Sequence, residues 1–431
     1  MTSQTRELIR LIAAKPISEK DLGWAGLFVL DTIACAIGAI EIESARILAH
    51  VPHHGSGDPM RRAFYFGGLS HILEMDDLHR SSVTHPGTVV IPATWAVAEA
   101  ENLRGRAFLE AVLKGYEACC RIGNAVGKAH YRVWHNTSTC GPFGSAMAAA
   151  SLYGLSEEQT IWALGNAGTQ SSGLWEFMAS GAMSKHLHTA RAAESGLLAA
   201  YLAREGFTGP DTILEGEKGF FKALCPDPEP ERVLANPDAS WELISSSIKP
   251  WPCCRHTHPA IDAALELHTR IGSATITQVD VFIYRAALNV CDRPLPNDPY
   301  SAKFSLQHCV AQALQEGEVK LDSFDEAARQ RTSALRPKIN LHFSEAIESR
   351  YPAAWGADVH VTLINGQKLE ATRKHAKGDP QNAFSESELK KKAIDLMVFG
   401  GMTKLNAEVL SKKISELIGD RPVRDLELFS T

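Results

Sequence analysis

The residue types best suited to chemistry crowd into Glu74 to Gly87, EMDDLHRSSVTHPG. Two adjacent carboxylates, Asp76 and Asp77, two imidazoles, His79 and His85, and the guanidinium of Arg80 fall between one apolar run ending near Met75 and another beginning near Pro92. That is too many ionisable groups for a buried segment and too local for a solvated face. Pro86-Gly87 interrupts any helix, so His85 is expected at a rigid turn that aims its ring into a cleft. The stretch reads as one wall of an active site.

Further polar clusters lie downstream. Tyr131 to Gly144 (YRVWHNTSTCGPFG) sets His135 among Asn136, Thr137, Ser138 and Thr139, ahead of a Gly-Pro break. A histidine in such a loop is more often a turn residue bonded to backbone than a catalyst. Met183 to Arg191 (MSKHLHTAR) puts Lys185, His186, His188 and Arg191 at the start of an apolar helix. Cations are unfavourable at a helix N-terminus, so they point either to an anion held by Lys185 and the first amides or to a solvated first turn. Ile248 to Pro259 (IKPWPCCRHTHP) combines Lys249, Cys253, Cys254, His256 and His258. Its spacing matches no structural zinc site, and an iron–sulfur cluster or a cysteine nucleophile is less in keeping with it than buried thiols. No dinucleotide fingerprint, phosphate loop or nucleophile elbow occurs.

Composition narrows the function classes. The 431 residues, 45% hydrophobic and 22% charged, can bury a large core and suggest two domains, while a net charge of −6 offers no field for nucleic acid. The nine cysteines, with Cys119-Cys120 and Cys253-Cys254 adjacent, suggest reduced thiols. Scattered charges near the N-terminus and no run of eighteen uncharged apolar residues lead to the expectation of a soluble, cytoplasmic protein with no membrane partner.

The elements that must position these groups are mostly helical as far as about residue 265. Ser18 with Asp21, and Ser156 with Gln159, form capping-box patterns, and Leu22, Ala25, Val29, Ile33 and Ile37 recur at helical spacing. Pro92 is expected to open a long run, interrupted near Asn102 to Gly105, and a small-residue helix from about Lys185 should stop at Gly206. Beyond residue 270, Ile276 to Arg285 and Asp358 to Ile364 alternate as strands, and Asn365-Gly366 signals a hairpin returning along Leu369 to Thr372. Ser385 and Glu388 cap a Lys-rich helix, and Ala407 to Ile418 is again helical. The expected fold is mainly α with a smaller α+β domain: a helical domain of residues 1–268 plus 396–431, and an α+β lid domain of residues 269–395.

In combination, EMDD…HPG, WHNTS…GPFGSA, SKHLHTARAA, EGFTGPDTILEGEKGFF, KPWPCCRHTHPAIDA and AKFSLQH resemble the MmgE/PrpD superfamily, in family order from about residue 20 to 400. Its members include 2-methylcitrate dehydratase, cis-aconitate decarboxylase and iminodisuccinate epimerase. The resemblance implies a helical domain with a smaller lid, a homodimer, and no metal or organic cofactor. It implies a pocket lined by His85, His135, Lys185 and Lys249, with Asp76 or Asp77 from the acidic motif. Two motifs depart from the family pattern: Glu74 and Leu78 replace the leading Asp and the Thr of D-F-D-D-T, and His308 stands where lyase relatives carry Tyr, which weakens the expectation of a decarboxylase or a methylcitrate dehydratase.

The chemistry implied is polar reaction at carbon next to a carboxylate, on a small-molecule carboxylate substrate. Removing such a proton requires a base in reach and positive charge where the aci-carboxylate develops. His85 and His135, with Asp77 and His308, are the expected acid/base groups; Lys185, Lys249, Asp76 and Arg80 are expected to bind substrate. A hydro-lyase acting on a hydroxylated di- or tricarboxylate is the leading expectation. An epimerase, a decarboxylase and a catalytically silent carboxylate-binding protein are the alternatives. If the lid closes, Lys249 and His308 contribute only in the closed state.

Overall fold

The structure is a computed structural model that describes residues 3–51 and 57–429. The chain divides into two compact units: Met1–Ile72, Asp76–Ser247 and Ser385–Thr431 form the first, Leu73–Met75 and Ile248–Phe384 the second.

The first unit is built on helices α1 (Gln4–Ala14), α2 (Glu19–Ala39), α3 (Pro59–Ile72), α4 (Gly87–Ala100), α5 (Gly105–Ala125), α6 (Asn136–Leu152), α7 (Glu157–Gly168) and α8 (Ser184–Arg204). Both expected capping boxes form, at Ser18/Asp21 and Ser156/Gln159. Helix α2 is long and apolar enough to cross a membrane, yet most of it is buried among its neighbours in this unit. Small residues set how closely helices approach: a Cβ at Gly196 of α8 would meet Pro142 O of α6 at 2.4 Å.

Two boundaries depart from the expectation. Helix α4 starts at Gly87, directly after His85-Pro86, and carries Pro92 in its interior. The Val90 amide already bonds Pro86 O at 2.9 Å, so the turn itself nucleates the helix. Likewise α6 runs through Gly141-Pro142, where a break was expected, and His135 sits at its N-cap. In both helices burial of nearly every residue outweighs the loss of one backbone hydrogen bond at proline.

The second unit holds α9 (His258–Ile271), α10 (Leu306–Glu316) and a four-stranded sheet of β3 (Ile276–Ile283), β4 (Ile339–Phe343), β5 (Ala357–Leu363) and β6 (Lys368–Arg373), ordered β4-β3-β5-β6. Strand β3 pairs in parallel with β4 and antiparallel with β5, and β5–β6 is the hairpin closed over Asn365-Gly366, with Gly366 at φ 82°. Strand β5 buries alternate residues, and α9 packs against β5 and β6. The short pair β1 (Leu78–His79) and β2 (Ser246–Ser247) belongs to the first unit.

The unit boundaries fall at 247/248 and 384/385, against the expected 268/269 and 395/396. Helix α9 packs on the sheet and on α10, which draws residues 248–268 into the second unit. Helix α11 (Glu386–Phe399), capped by Ser385 and Glu388, packs on α2 and returns the chain to the first unit, followed by α12 (Lys404–Ser415).

Candidate active site

Three histidines from separate elements meet in the first unit. His71 lies in the last turn of α3, His85 at the turn before α4, and His135 at the N-cap of α6. Their ring centroids are 4.7 Å apart for His71–His85, 5.9 Å for His71–His135 and 6.3 Å for His85–His135.

Asp76 organises two of the rings. Its Oδ2 is 2.9 Å from His71 Nδ1 and 2.7 Å from His85 Nδ1. His85 Nδ1 also lies 2.7 Å from Asp77 O, and its amide donates to Thr137 Oγ1 at 3.0 Å. With these acceptors at Nδ1, each neutral ring carries its proton there and presents an Nε2 lone pair. Burial drives His71 down to about 3 despite the opposing pull of Asp76. Burial also holds His135 well below the usual histidine range, reinforced by His71, His188 and Lys185. Nε2 of His71 and of His135 are buried with no hydrogen-bond partner among the described residues.

The remaining site groups follow from α8 and the segment before it. Lys185, in the first turn of α8, is buried, and its charge opposes protonation of His71, His135 and His188. His188, three residues on and so on the same helix face, places Nδ1 3.2 Å from His135 Nδ1. The chain at Gly173 to Trp175 runs beside Val133 to His135: His135 N donates to Gly173 O, and Trp175 N to Val133 O, both at 3.0 Å. Gly173 is at φ 114°, and a Cβ there would meet Ser138 Oγ at 2.4 Å. The Trp175 ring lies 4.8 Å from that of His135, with its Nε1 buried and without a hydrogen-bond partner among the described residues.

Several expected site residues have protein groups as partners. The Asp77 carboxyl accepts from Tyr116 Oη and from Gly87 N, each at 3.0 Å, so it braces the HPG turn, while the Asp77 backbone O is what meets His85 Nδ1. Burial, then the neighbouring Asp76, raises its pKa well above the carboxylate range. His308, expected as a proton donor, has both ring nitrogens taken within the second unit, Nδ1 by Thr332 Oγ1 at 3.0 Å and Nε2 by Ser323 O at 2.8 Å. Lys249, expected on a substrate carboxylate, has its Nζ 3.1 Å from Glu74 Oε2, with both side chains 1% exposed. Arg80 is buried in the turn after β1. His71, His188 and Trp175 were not singled out as site residues: His71 reads as part of an apolar helix, His188 as one cation of a cluster, and Trp175 has no motif around it.

One nitrogen from each of His71, His85 and His135 lies within 4.8 Å of the others, a donor set of the kind that metal ions use. The Lys185 charge that disfavours a proton on His71 and His135 disfavours a dication in the same way. The donor set fits proton transfer better than metal ligation.

Comparison with known proteins agrees with this architecture. Residues 9–233 match the MmgE/PrpD N-terminal domain and residues 251–411 the MmgE/PrpD C-terminal domain. A cis-aconitate decarboxylase-like protein of Aspergillus oryzae is 31% identical over 225 residues, covering 48% of this chain and 46% of that protein. The chain thus spans less than half of that relative. Cis-aconitate decarboxylases of Aspergillus terreus and Homo sapiens are 26% and 27% identical, over 76% and 78% of this chain and 74% and 72% of theirs. With both domain models matched in order across most of its length, the chain belongs to the MmgE/PrpD family.

Proposed function

We propose that the chain is a cofactor-independent lyase of small di- or tricarboxylates, forming and quenching a carbanion next to a carboxylate. The observation that carries this reading is the pair of buried, unpartnered Nε2 atoms of His71 and His135 beside the ammonium of Lys185. A buried lone pair or N–H without a partner is costly unless a ligand uses it, and a nearby cation stabilises the enolate-like charge that develops on a carboxylate.

Loss of CO2 is the outcome we assign first. The relatives named cis-aconitate decarboxylase support it, and so does the protonation state of the rings. Expelling hydroxide needs an acid that is protonated near the working pH, whereas His71, at about 3, and His135, well below its usual value, are neutral at pH 7. A neutral His135 with its proton on Nε2 suits a site that supplies N–H to a carbanion carbon after CO2 departs, while the Nε2 lone pair of His71 is free to accept from a substrate carboxyl or hydroxyl. Loss of water, the leading expectation from the sequence, is the second reading. Asp76 at 2.7 Å from His85 favours it, because a carboxylate there stabilises an imidazolium able to protonate a leaving hydroxyl.

The test is proton NMR in D2O with citrate, 2-methylcitrate, cis-aconitate, malate, tartrate and imino acids derived from aspartate, using wild type and His135→Ala. Enzyme-dependent loss of a carboxylate with one deuterium placed on the product carbon supports the first reading. Loss of hydroxyl supports the second, and inversion without loss supports an epimerase. No exchange and no product across the panel removes the lyase reading.

A further inference from the structure

His135 is almost wholly buried, and each proton it gives to or takes from a substrate must still exchange with water. The observation that bears on this is its second ring nitrogen. Nδ1 of His135 faces Nδ1 of His188 at 3.2 Å, with ring centroids 5.4 Å apart. Two nitrogens of the same kind at that distance share one proton, one ring donating and the other accepting. His188 is only partly buried, and its single hydrogen bond among the described residues is the one to His135. Its ring packs edge-on against Phe177 at 5.5 Å, which holds the pair in line.

We propose that His188 is a proton relay connecting the buried ring of His135 to solvent; this rests on the function proposed above. When a carbanion carbon forms, the N–H bond at His135 Nε2 breaks and a C–H bond forms. The His188 Nδ1 proton crosses to His135 Nδ1, and water supplies a proton to His188 Nε2. One proton enters from solvent and one leaves to carbon, both rings stay neutral, and each ends in its other tautomer. A proton travelling in the opposite direction, or water entering as product leaves, restores the starting tautomers.

The relay answers a physical difficulty in the site. Burial and Lys185 make an imidazolium costly at His135 and take His188 down to about 4, so neither ring can store a proton for long. A coupled transfer through both rings avoids the charged intermediate.

Two measurements test it. The first follows solvent deuterium entering the reacting C–H position with wild type, His188→Gln and His188→Phe, the last keeping a ring against Phe177. The relay predicts that both variants lose exchange by about tenfold or more with KM within about threefold, and that added free imidazole restores part of it. Exchange at the wild-type rate in His188→Phe, or a loss that imidazole does not relieve, overturns the relay. The second is 15N NMR of histidine-labelled protein without substrate. A shared proton predicts complementary Nδ1 shifts for residues 135 and 188, with the pattern at His135 abolished in His188→Gln. Independent shifts overturn the relay. A shared proton in a protein that turns over nothing in the panel instead removes the lyase reading and leaves the hydrogen-bonded pair standing.

Discussion

Asp76 places its Oδ2 2.7 Å from Nδ1 of His85, and the same oxygen is 2.9 Å from Nδ1 of His71. One carboxylate therefore sets the tautomer of two rings at once, as an orienting aspartate does in other histidine-based sites. Asp76→Asn keeps the size but can turn an NH2 toward either ring and force the proton onto Nε2. The expected loss in kcat is about 10²- to 10⁴-fold, with far-UV circular dichroism unchanged. A loss below tenfold would mean that the orientation of these rings is set elsewhere.

The HPG turn leaves no room at its glycine. A Cβ on Gly87 would lie 2.5 Å from Asp77 Oδ1, 2.7 Å from Tyr116 Oη and 2.8 Å from Thr32 Oγ1. Gly87→Ala must push the Asp77 carboxyl away from the backbone it braces, and overpacking of this kind costs about 1–3 kcal/mol. The expected result is a lower urea midpoint together with reduced turnover, because His85 moves with the turn. Wild-type stability and activity in Gly87→Ala would show that Asp77 does not hold the turn.

Much of this was legible in the sequence, for identifiable reasons. Capping boxes at Ser18, Ser156 and Ser385 and the hairpin at Asn365-Gly366 are local interactions, and all formed as read. Pro92 and Pro142 misled because local propensity was overruled by burial on nearly every side of α4 and α6. Strand β4, only Ile339–Phe343, is too short to show a clear period and takes its identity from pairing in parallel with β3. In the site, His85 and Lys185 stood out as ionisable groups at structural breaks. His71 did not, because nothing local separates a histidine on a core helix from one whose partner, Asp76, comes five residues later. His308 and Lys249 were read from the resemblance, and only their partners, Thr332 with Ser323 and Glu74, reveal what occupies them.

The return of the chain to the first unit is pinned by Lys392 of α11, whose Nζ lies 2.6 Å from Asp31 Oδ1 of α2, with both side chains buried. Lys392→Met leaves the carboxylate in the core without its ammonium partner, and breaking a buried pair from one side costs about 3–5 kcal/mol. Replacing both, Lys392→Met with Asp31→Leu, removes the stranded charge and should regain most of that. Equal destabilisation in the single and double variants, measured by urea denaturation, would argue that packing of α11 and not the ion pair is what matters.

The buried neutral histidines make stability depend on pH in a defined window. His71 titrates at about 3 in the folded chain, with burial the leading cause and Lys185 and His85 adding to it against Asp76; His256 in the second unit is likewise lowered to about 3 by burial, Arg255 and Lys249. An unfolded histidine takes up its proton near 6.5, so below that pH the unfolded chain binds protons that the folded rings refuse. The contribution of each ring is therefore complete above about pH 6.5 and declines by up to about 1.4 kcal/mol per pH unit as pH falls toward 3. His71→Gln should flatten the acid limb of a plot of stability against pH. Asp77 acts with the opposite sign, because its pKa is raised in the fold: its contribution is present at acid pH and is lost as pH rises through the folded value. Asp77→Asn should accordingly lose less stability at pH 7 than at pH 4 relative to wild type. Thermal midpoints of the two variants measured from pH 4 to 8 check both slopes, and parallel curves for wild type and variants would show that neither group carries the titration.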